Sequence, residues 1–399
     1  MLFPNLSRLM QRGRVRRSVR PTNLTSAEVL ERRTVPTVTV SGTSSVTVLI
    51  TGSENVTVQD DGDADADGIT LVQVLVDGAE LPIPAIDANY VQSLTVKATS
   101  SSSNNNIDLS TLNPDVYVLL ANITVKAGGG DDTVTGSNLD SAAEVIYGGR
   151  GNDIITGGGG NDVLNGEDGN DSITGDAGDD TLLGGAGNDT LDGGDGNDNV
   201  KGQLGDDKIN GFTGDDRLDG GDGNDTITGS DGNDYVTAGK GDDVIFGDES
   251  DGSGTPGNDT LNGDAGMDVI NAGGGDDSVN GGDGNDIIGG GVGDDSINGG
   301  NGNDKLFGDA GDDVISGGAG NDTLLGGDDA DSLLGGAGND IVAGEAGIDT
   351  VNGQGNADTV LGGSGGVGGD ADPGDLVIGA ISEIKETFNL DTGWKTLVS

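Results

Sequence analysis

One aliphatic residue recurs every nine positions through most of this chain, and its neighbours recur with it. From Gly148 the sequence runs GGRGNDIIT, GGGGNDVLN, GEDGNDSIT, GDAGDDTLL, GGAGNDTLD. With each copy numbered one to nine, position eight is Val, Ile or Leu in all 24 copies, from Val134 and Ile155 to Val351 and Val360. Positions seven to nine alternate outward, inward, outward, which is a three-residue strand with one buried side chain. The GGxGxD that precedes it is rich in residues that tolerate a positive φ, so it forms a tight turn. A turn plus a short strand cannot bury its aliphatic side chain alone, whereas stacked coils can. The pattern therefore predicts a solenoid. Two nonapeptides close one coil with two facing parallel sheets, so 24 copies make about twelve coils, roughly 57 Å at ~4.8 Å each.

Position six is the most regular polar position. It holds Asp132, then Asp153, Asp162, Asp171, Asp180, Asp189, Asp198, Asp207, Asp216, Asp225, Asp234 and Asp243. A seven-residue insertion follows, and the phase resumes with Asp259, Asp268, Asp277, Asp286, Asp295, Asp304, Asp313, Asp322, Asp331, Asp340, Asp349 and Asp358. Position four is Gly in 22 copies, with Asp329 and Asn356 as exceptions. Position five is Asn or Asp in 20, with Met267, Ala330, Ile348 and Ala357 as exceptions. The late copies are the most degenerate, as terminal repeats tend to be.

Charge then sharpens the reading. Residues 1–127 carry a net −3, whereas residues 128–399 carry −49 and 74 of the 80 Gly. Coiling the chain places carboxylates in rows along both edges, one coil spacing apart. Unpaired, they oppose folding. A hard divalent cation with six to eight oxygen ligands removes that repulsion and uses the turn carbonyls as well. The rows have room for on the order of twenty such ions. A merely solvated acidic tract would need neither fixed phase nor an aliphatic at every eighth position. The motif itself, seen in GGAGNDTLD, GGDGNDNVK and GGAGNDIVA, resembles that of the RTX family (repeats in toxin, haemolysin-type calcium-binding repeats). The resemblance covers residues 128–363. It implies a right-handed parallel β-roll, with Ca2+ between turns two repeats apart, held by position-six carboxylates and turn carbonyls.

The flanks are different. Residues 1–33 form an Arg-rich leader (Arg8, Arg12, Arg14, Arg16, Arg17, Arg20, Arg32, Arg33) without an apolar h-region, read as disordered or processed. Its LERRTVP resembles a short export-associated header of large bacterial surface proteins. Residues 34–127 alternate with period two (TVTV, SVTVLI, NVTV, LTVKA, ITVKA) and form a smaller β-rich domain. SNNNIDLSTL, Ser103–Leu112, looks like a decayed repeat, so the solenoid has a candidate start before Gly128, with a separate sandwich as the alternative. Asp63, Asp65, Asp67 and Gly68 match the first half of a calcium loop, but Val74 stands where the bidentate Glu belongs, which favours an acidic surface loop. The insertion at 247–256 is polar and reads as a solvated bulge open to proteolysis. Residues 364–399, with Trp394, are read as a cap on the open end, where the family also places a secretion signal. Position nine carries Phe307, Leu325, Ala343 and Leu361 at 18-residue spacing, an outward apolar strip on one sheet face.

These features weigh on function. With no His and no Cys, His-based acid–base chemistry, thiol chemistry and disulfides are excluded. HExxH and GxSxG motifs are absent, and residues 34–127 offer only Tyr90 and Tyr117 as sugar platforms. A calcium-stabilised polysaccharide-modifying enzyme sited in 34–127 is therefore the alternative, and a non-catalytic, secreted or cell-surface structural or adhesive protein is the first reading. The charge excludes nucleic acid as a partner. No 18-residue apolar run is present, so no transmembrane helix is expected. Cell-surface polysaccharide or protein remains as a partner class. Outward Thr pairs such as Thr226 and Thr228 are too few for an ice-binding face.

Overall fold

A computed structural model describes residues 37–40, 45–50, 55–60, 72–76, 79–80, 92–98, 100–112, 120–248, 254–362 and 376–379. The leader 1–33, the Asp63–Gly68 loop, most of the insertion and most of the C-terminal segment with Trp394 lie outside the described residues.

The described chain is all-β, and it coils as predicted. Each strand of the repeat region pairs in parallel with the strand two elements later, and the register advances by 18 residues: Leu164 faces Leu182, which faces Val200, and Ile173 faces Leu191, which faces Ile209. Alternate strands build opposite sheets, one of them 16 strands wide. The insertion leaves this register intact, because Tyr235 pairs with Thr260 and Val244 with Val269. Extra residues at a turn cost the stack nothing as long as they leave and re-enter at the same edge.

The core is two columns of position-eight side chains facing each other. Ile155, Ile173, Leu191 and Ile227 on one sheet, and Leu164, Leu182, Val200 and Leu218 on the other, are fully buried. One aliphatic per half-turn is a thin core, and it is continuous from end to end because every repeat adds to the same two columns.

From 122 to 362 the chain makes about thirteen turns rather than twelve. The extra turn comes from two half-turns not preceded by the glycine motif, the strands Asn122–Gly129 and Ala143–Arg150, which pair with each other, the second also pairing with Val163–Asp168. The sheets also run on below residue 122. Ser45–Ile50 pairs in parallel with Ser93–Ala98, and that strand with Asn122–Gly129. Asn55–Asp60 pairs with Asn106–Asp108, and that strand with Thr133–Thr135. At the other end, Leu376–Gly379 adds a parallel strand beside Thr359–Gly362.

The position-nine strip differs from the expectation of an exposed face. Phe307 (7%), Ala343 (4%) and Leu361 (5%) are buried, and Leu325 between them is half-buried. Adjacent coils hold these side chains in one column, and Gly289 beside Phe307 has no side chain to push the ring outward.

Candidate metal centre

The turn between strands fixes the geometry of every carboxylate. Glu167 at position two and Gly169 at position four both have positive φ. A Cβ at position four would run into the carbonyl of the matching glycine one coil earlier, as Gly187 shows against Gly169. Position one is different, because its φ is ordinary and its constraint is space. A Cβ on Gly157 would lie 2.8 Å from Asp162 Oδ2 and 2.7 Å from the carbonyl oxygen of Gly175 in the next coil. The same two kinds of oxygen converge on position one at Gly166, Gly184 and Gly299. Three copies carry Ala there instead (Ala127, Ala238 and Ala272), so the space narrows without closing.

The 24 position-six Asp side chains are all buried, at 1–3% exposure. They form two columns, one along each edge. In each, Oδ1 accepts the backbone N–H of its counterpart one coil earlier: Asp153 N–H donates to Asp171 at 2.7 Å, and Asp171 N–H to Asp189 at 2.7 Å. The second oxygen, Oδ2, has no hydrogen-bond donor from Asp132 through Asp349. Basic groups are elsewhere. Arg150, Lys201 and Lys240 pair with Asp168, Asp219 and Asp222, which are position-three and position-nine carboxylates on the outer surface.

A buried carboxylate with one orphaned oxygen is electrostatically costly. Burial accordingly pushes these groups up, to about 7 at Asp153, Asp180 and Asp216 and about 8 at Asp259 and Asp268, against the opposing pull of the N–H each accepts. Two remedies exist, a proton or a cation. Among the described residues no three acidic side chains converge on one point. A cation here would therefore take single carboxylates from the column and complete its shell with peptide carbonyls. An all-oxygen set of that kind suits a large hard ion such as Ca2+ rather than zinc or copper, which favour nitrogen and sulfur.

The chain matches the family model described as the RTX calcium-binding nonapeptide repeat, in successive and partly overlapping segments between residues 124 and 366. It belongs to the RTX calcium-binding repeat family. A search of curated proteins finds no match.

The RTX motif does not mark everything that shares the columns. Glu144 occupies position six below Asp162. Its N–H donates to Asp162 Oδ1 at 2.7 Å, its Oε1 accepts from Ser137 Oγ at 2.5 Å, and its Oε2 is buried without a donor. Burial first, and the neighbouring Asp162 carboxyl second, push Glu144 to about 9. Gly136 holds the position-one place of this half-turn, one coil before Gly157, and the turn from it to Glu144 carries three extra residues. On the other edge Asn105 sits below Asp132. Its amide donates to Asp132 Oδ1 and to the carbonyl of Ala127, both at 3.0 Å. Leu94 and Ile123 continue the first column downward as buried aliphatics. Both columns thus end in neutral or apolar residues.

Position five has a role that its turn propensity did not reveal. Asn170 N–H donates to Asn152 Oδ1, Asn188 N–H to Asn170 Oδ1 and Asp206 N–H to Asn188 Oδ1, at 2.9, 2.9 and 3.2 Å. This outer ladder runs opposite to the Asp ladder, so each coil is bonded to both neighbours by side chains. It stops at Met267 and Ala330, which donate to Asp242 and Asp312 but offer no side-chain acceptor to the coil that follows.

Proposed function

We propose that this is a secreted or cell-surface RTX protein with a structural or adhesive role and no catalysis, whose roll folds as calcium enters the two Asp columns. The observation that carries the reading is the run of buried Oδ2 atoms without a donor, most of them facing a glycine-walled space with a peptide carbonyl on its far side. The position-six residues Asp132 to Asp358 are the carboxylate ligands, and their columns hold on the order of twenty ions. Glu144 and Asn105 close the columns without metal.

Calcium acts here as a folding partner, since the ligands come together only in the coiled state. Low internal calcium keeps the chain unfolded and fit for export, and the millimolar calcium outside neutralises the columns. The adhesive role rests on family resemblance and on the polar, repetitive outer surface, and the partner class is cell-surface polysaccharide or protein.

The test is a calcium titration of the full chain, starting in chelator, followed by circular dichroism and by calorimetric counting of bound ions. A cooperative gain of β signal with uptake near twenty ions is expected. A β signal already complete in chelator and unmoved by calcium would overturn the reading.

A further inference from the structure

Basic residues are not spread evenly over this acidic chain. Between residues 34 and 379 it has eight, and six lie on strands of the 16-stranded sheet: Lys97, Lys126, Arg150, Lys201, Arg217 and Lys240. The other two, Lys208 and Lys305, lie on the facing sheet. At the outward positions seven and nine between Ser93 and Thr237, the 16-stranded sheet carries four cations against one carboxylate, Asp219, a net +3. Over the same coils the facing sheet carries Lys208 against Asp108 and Asp192, a net −1. One face of a chain that totals −52 is therefore basic.

The register sets these cations in two adjacent columns. Lys97, Lys126 and Tyr147 follow one another at position nine, with Lys201 three coils further on. Arg217 and Tyr235 follow one another at position seven. Lys126 Nζ lies 4.3 Å from the centre of the Tyr147 ring, and Arg217 Cζ 4.5 Å from that of Tyr235. Each ring fixes a cation on the surface, and a guanidinium held by its flat side keeps its N–H edge for a bidentate carboxylate. Among the described residues no carboxylate lies within 4.0 Å of Lys97, Lys126 or Arg217, because Asp219, the one acid of the face, is taken by Lys201 at 2.7 Å. Between the cations lie Thr124, Asn165 and Thr181, whose side chains both donate and accept hydrogen bonds. The strip is long and narrow. Six coil steps separate Lys97 from the coil of Arg217, about 29 Å at ~4.8 Å per step, and positions seven to nine span about 7 Å across. Exposed acids border it on both sides, Asp179 and Asp215 along one edge and Glu167 and Asp206 along the other.

We propose that this face binds a carboxylate-bearing polysaccharide, laid along the axis of the roll with its carboxylates on Lys97, Lys126 and Arg217. The acidic borders select for width. A nucleic-acid duplex or a second acidic roll would overlap them and be repelled, whereas a single sugar chain meets only the cations, hydroxyls and amides between them. This site rests on the surface role proposed above and gives its partner a chemistry. Calcium enters only as the ion that folds the roll.

The test is isothermal titration of the full chain, folded in millimolar calcium, with a hyaluronan octasaccharide, in which alternate sugars carry a carboxylate. A complex that weakens as salt is raised is expected. The same octasaccharide with its carboxyl groups reduced to alcohols should lose about tenfold or more in affinity. Arg217→Gln with Lys126→Gln should lose a similar factor, and Arg217→Lys alone a smaller one, because an ammonium cannot pair bidentately. Lys208→Gln on the facing sheet is the control and should change nothing. If the double variant does not fold, Lys97→Gln, which touches neither ring, takes its place with a loss in the same direction. No binding, binding that ignores the reduction, or binding undiminished in the variants overturns the proposal. Equal affinity for poly-L-glutamate overturns it in favour of an acidic protein, and a wild-type dimer that the double variant dissolves overturns it in favour of a second copy. Circular dichroism in calcium reports folding separately, so a chain that folds with calcium yet ignores the octasaccharide sinks this site and leaves the calcium-dependent fold standing.

Discussion

The two Asp columns make a prediction whose sign reverses with calcium. Consider Asp207, Asp225 and Asp243, consecutive members of one column, replaced together by Asn. Burial holds the wild-type carboxyls at about 7, 6 and 6 instead of 3.8. A folded-state value above the unfolded one means that the folded state binds protons more tightly. The group then destabilises the fold progressively as pH rises from 3.8 to the folded value, and fully above it. For Asp225 the cost above pH 6 is about 3 kcal/mol, an order of magnitude only. Asn carries no such cost, and its amide has acceptors in place. Asn105 already donates to Asp132 Oδ1 and to the position-one carbonyl of the next coil, and the equivalent carbonyl for residue 225 is that of Ala238. Without calcium the triple variant should therefore be the more stable of the two in these coils. With calcium the order inverts, because the variant loses ligands whose saturation at a hundred times Kd is worth about 2.7 kcal/mol per ion. Amide exchange reads this locally. At pH 7.5 in chelator, the strands Lys208–Thr213 and Thr226–Asp231 should exchange more slowly in the variant than in the wild type, and in millimolar calcium they should exchange faster. Faster exchange under both conditions would show that the carboxylates stabilise these coils without metal, and the electrostatic argument would fall.

Three further outcomes follow from the same geometry. Acid should substitute partly for metal: in chelator the β signal is expected to grow as pH falls from 8 towards 5, across the raised values of about 6 to 8, while the calcium midpoint of folding rises over the same range because protons compete for the same oxygens. A titration showing loss of β signal on acidification in chelator would contradict this. Glycines of one turn should differ in kind, since Gly184→Ala adds a Cβ that Ala238 and Ala272 already carry, whereas Gly187→Ala forces a positive φ and meets the Gly169 carbonyl. Thermal unfolding in calcium should show the second substitution to be the worse by about 1–3 kcal/mol. The coils built on Leu94, Asn105 and Ile123 should keep their amide protection in chelator when the Asp-lined coils have lost theirs. Equal loss along the whole stack would show that the neutral column ends do not fold on their own.

The nine-residue rhythm is enough to predict the solenoid, its two sheets, the position-eight core and the position-six columns, because each depends only on spacing. What it misses are places where spacing or residue type slips. Asp132 and Asp153 are 21 residues apart, so three extra residues hide the half-turn that carries Glu144, although Glu144 lies nine before Asp153 and is followed by Val145 and Ile146. Asn105 is 27 residues from Asp132 and is not acidic, so the decayed repeat around Ile107 reveals the strand but not the column. Periodicity also cannot tell a residue that forms a turn from one that bonds the next coil, so the position-five ladder leaves no mark of its own in the spacing. The Phe307 column was visible as apolar, but its burial depends on neighbours 18 residues away and on the missing side chain of Gly289.

Each turn offers its successor the same set of bonds that it receives from its predecessor: one backbone register, one carboxylate oxygen, one outer amide. Nothing in that exchange identifies a turn's place in the series. An in-frame duplication or loss of 18 residues would join its neighbours without a new contact, as the uninterrupted register across the insertion after Gly247 already indicates. Length is therefore the property such a gene can change most readily, and a population of these proteins would be expected to vary in reach while keeping every turn alike.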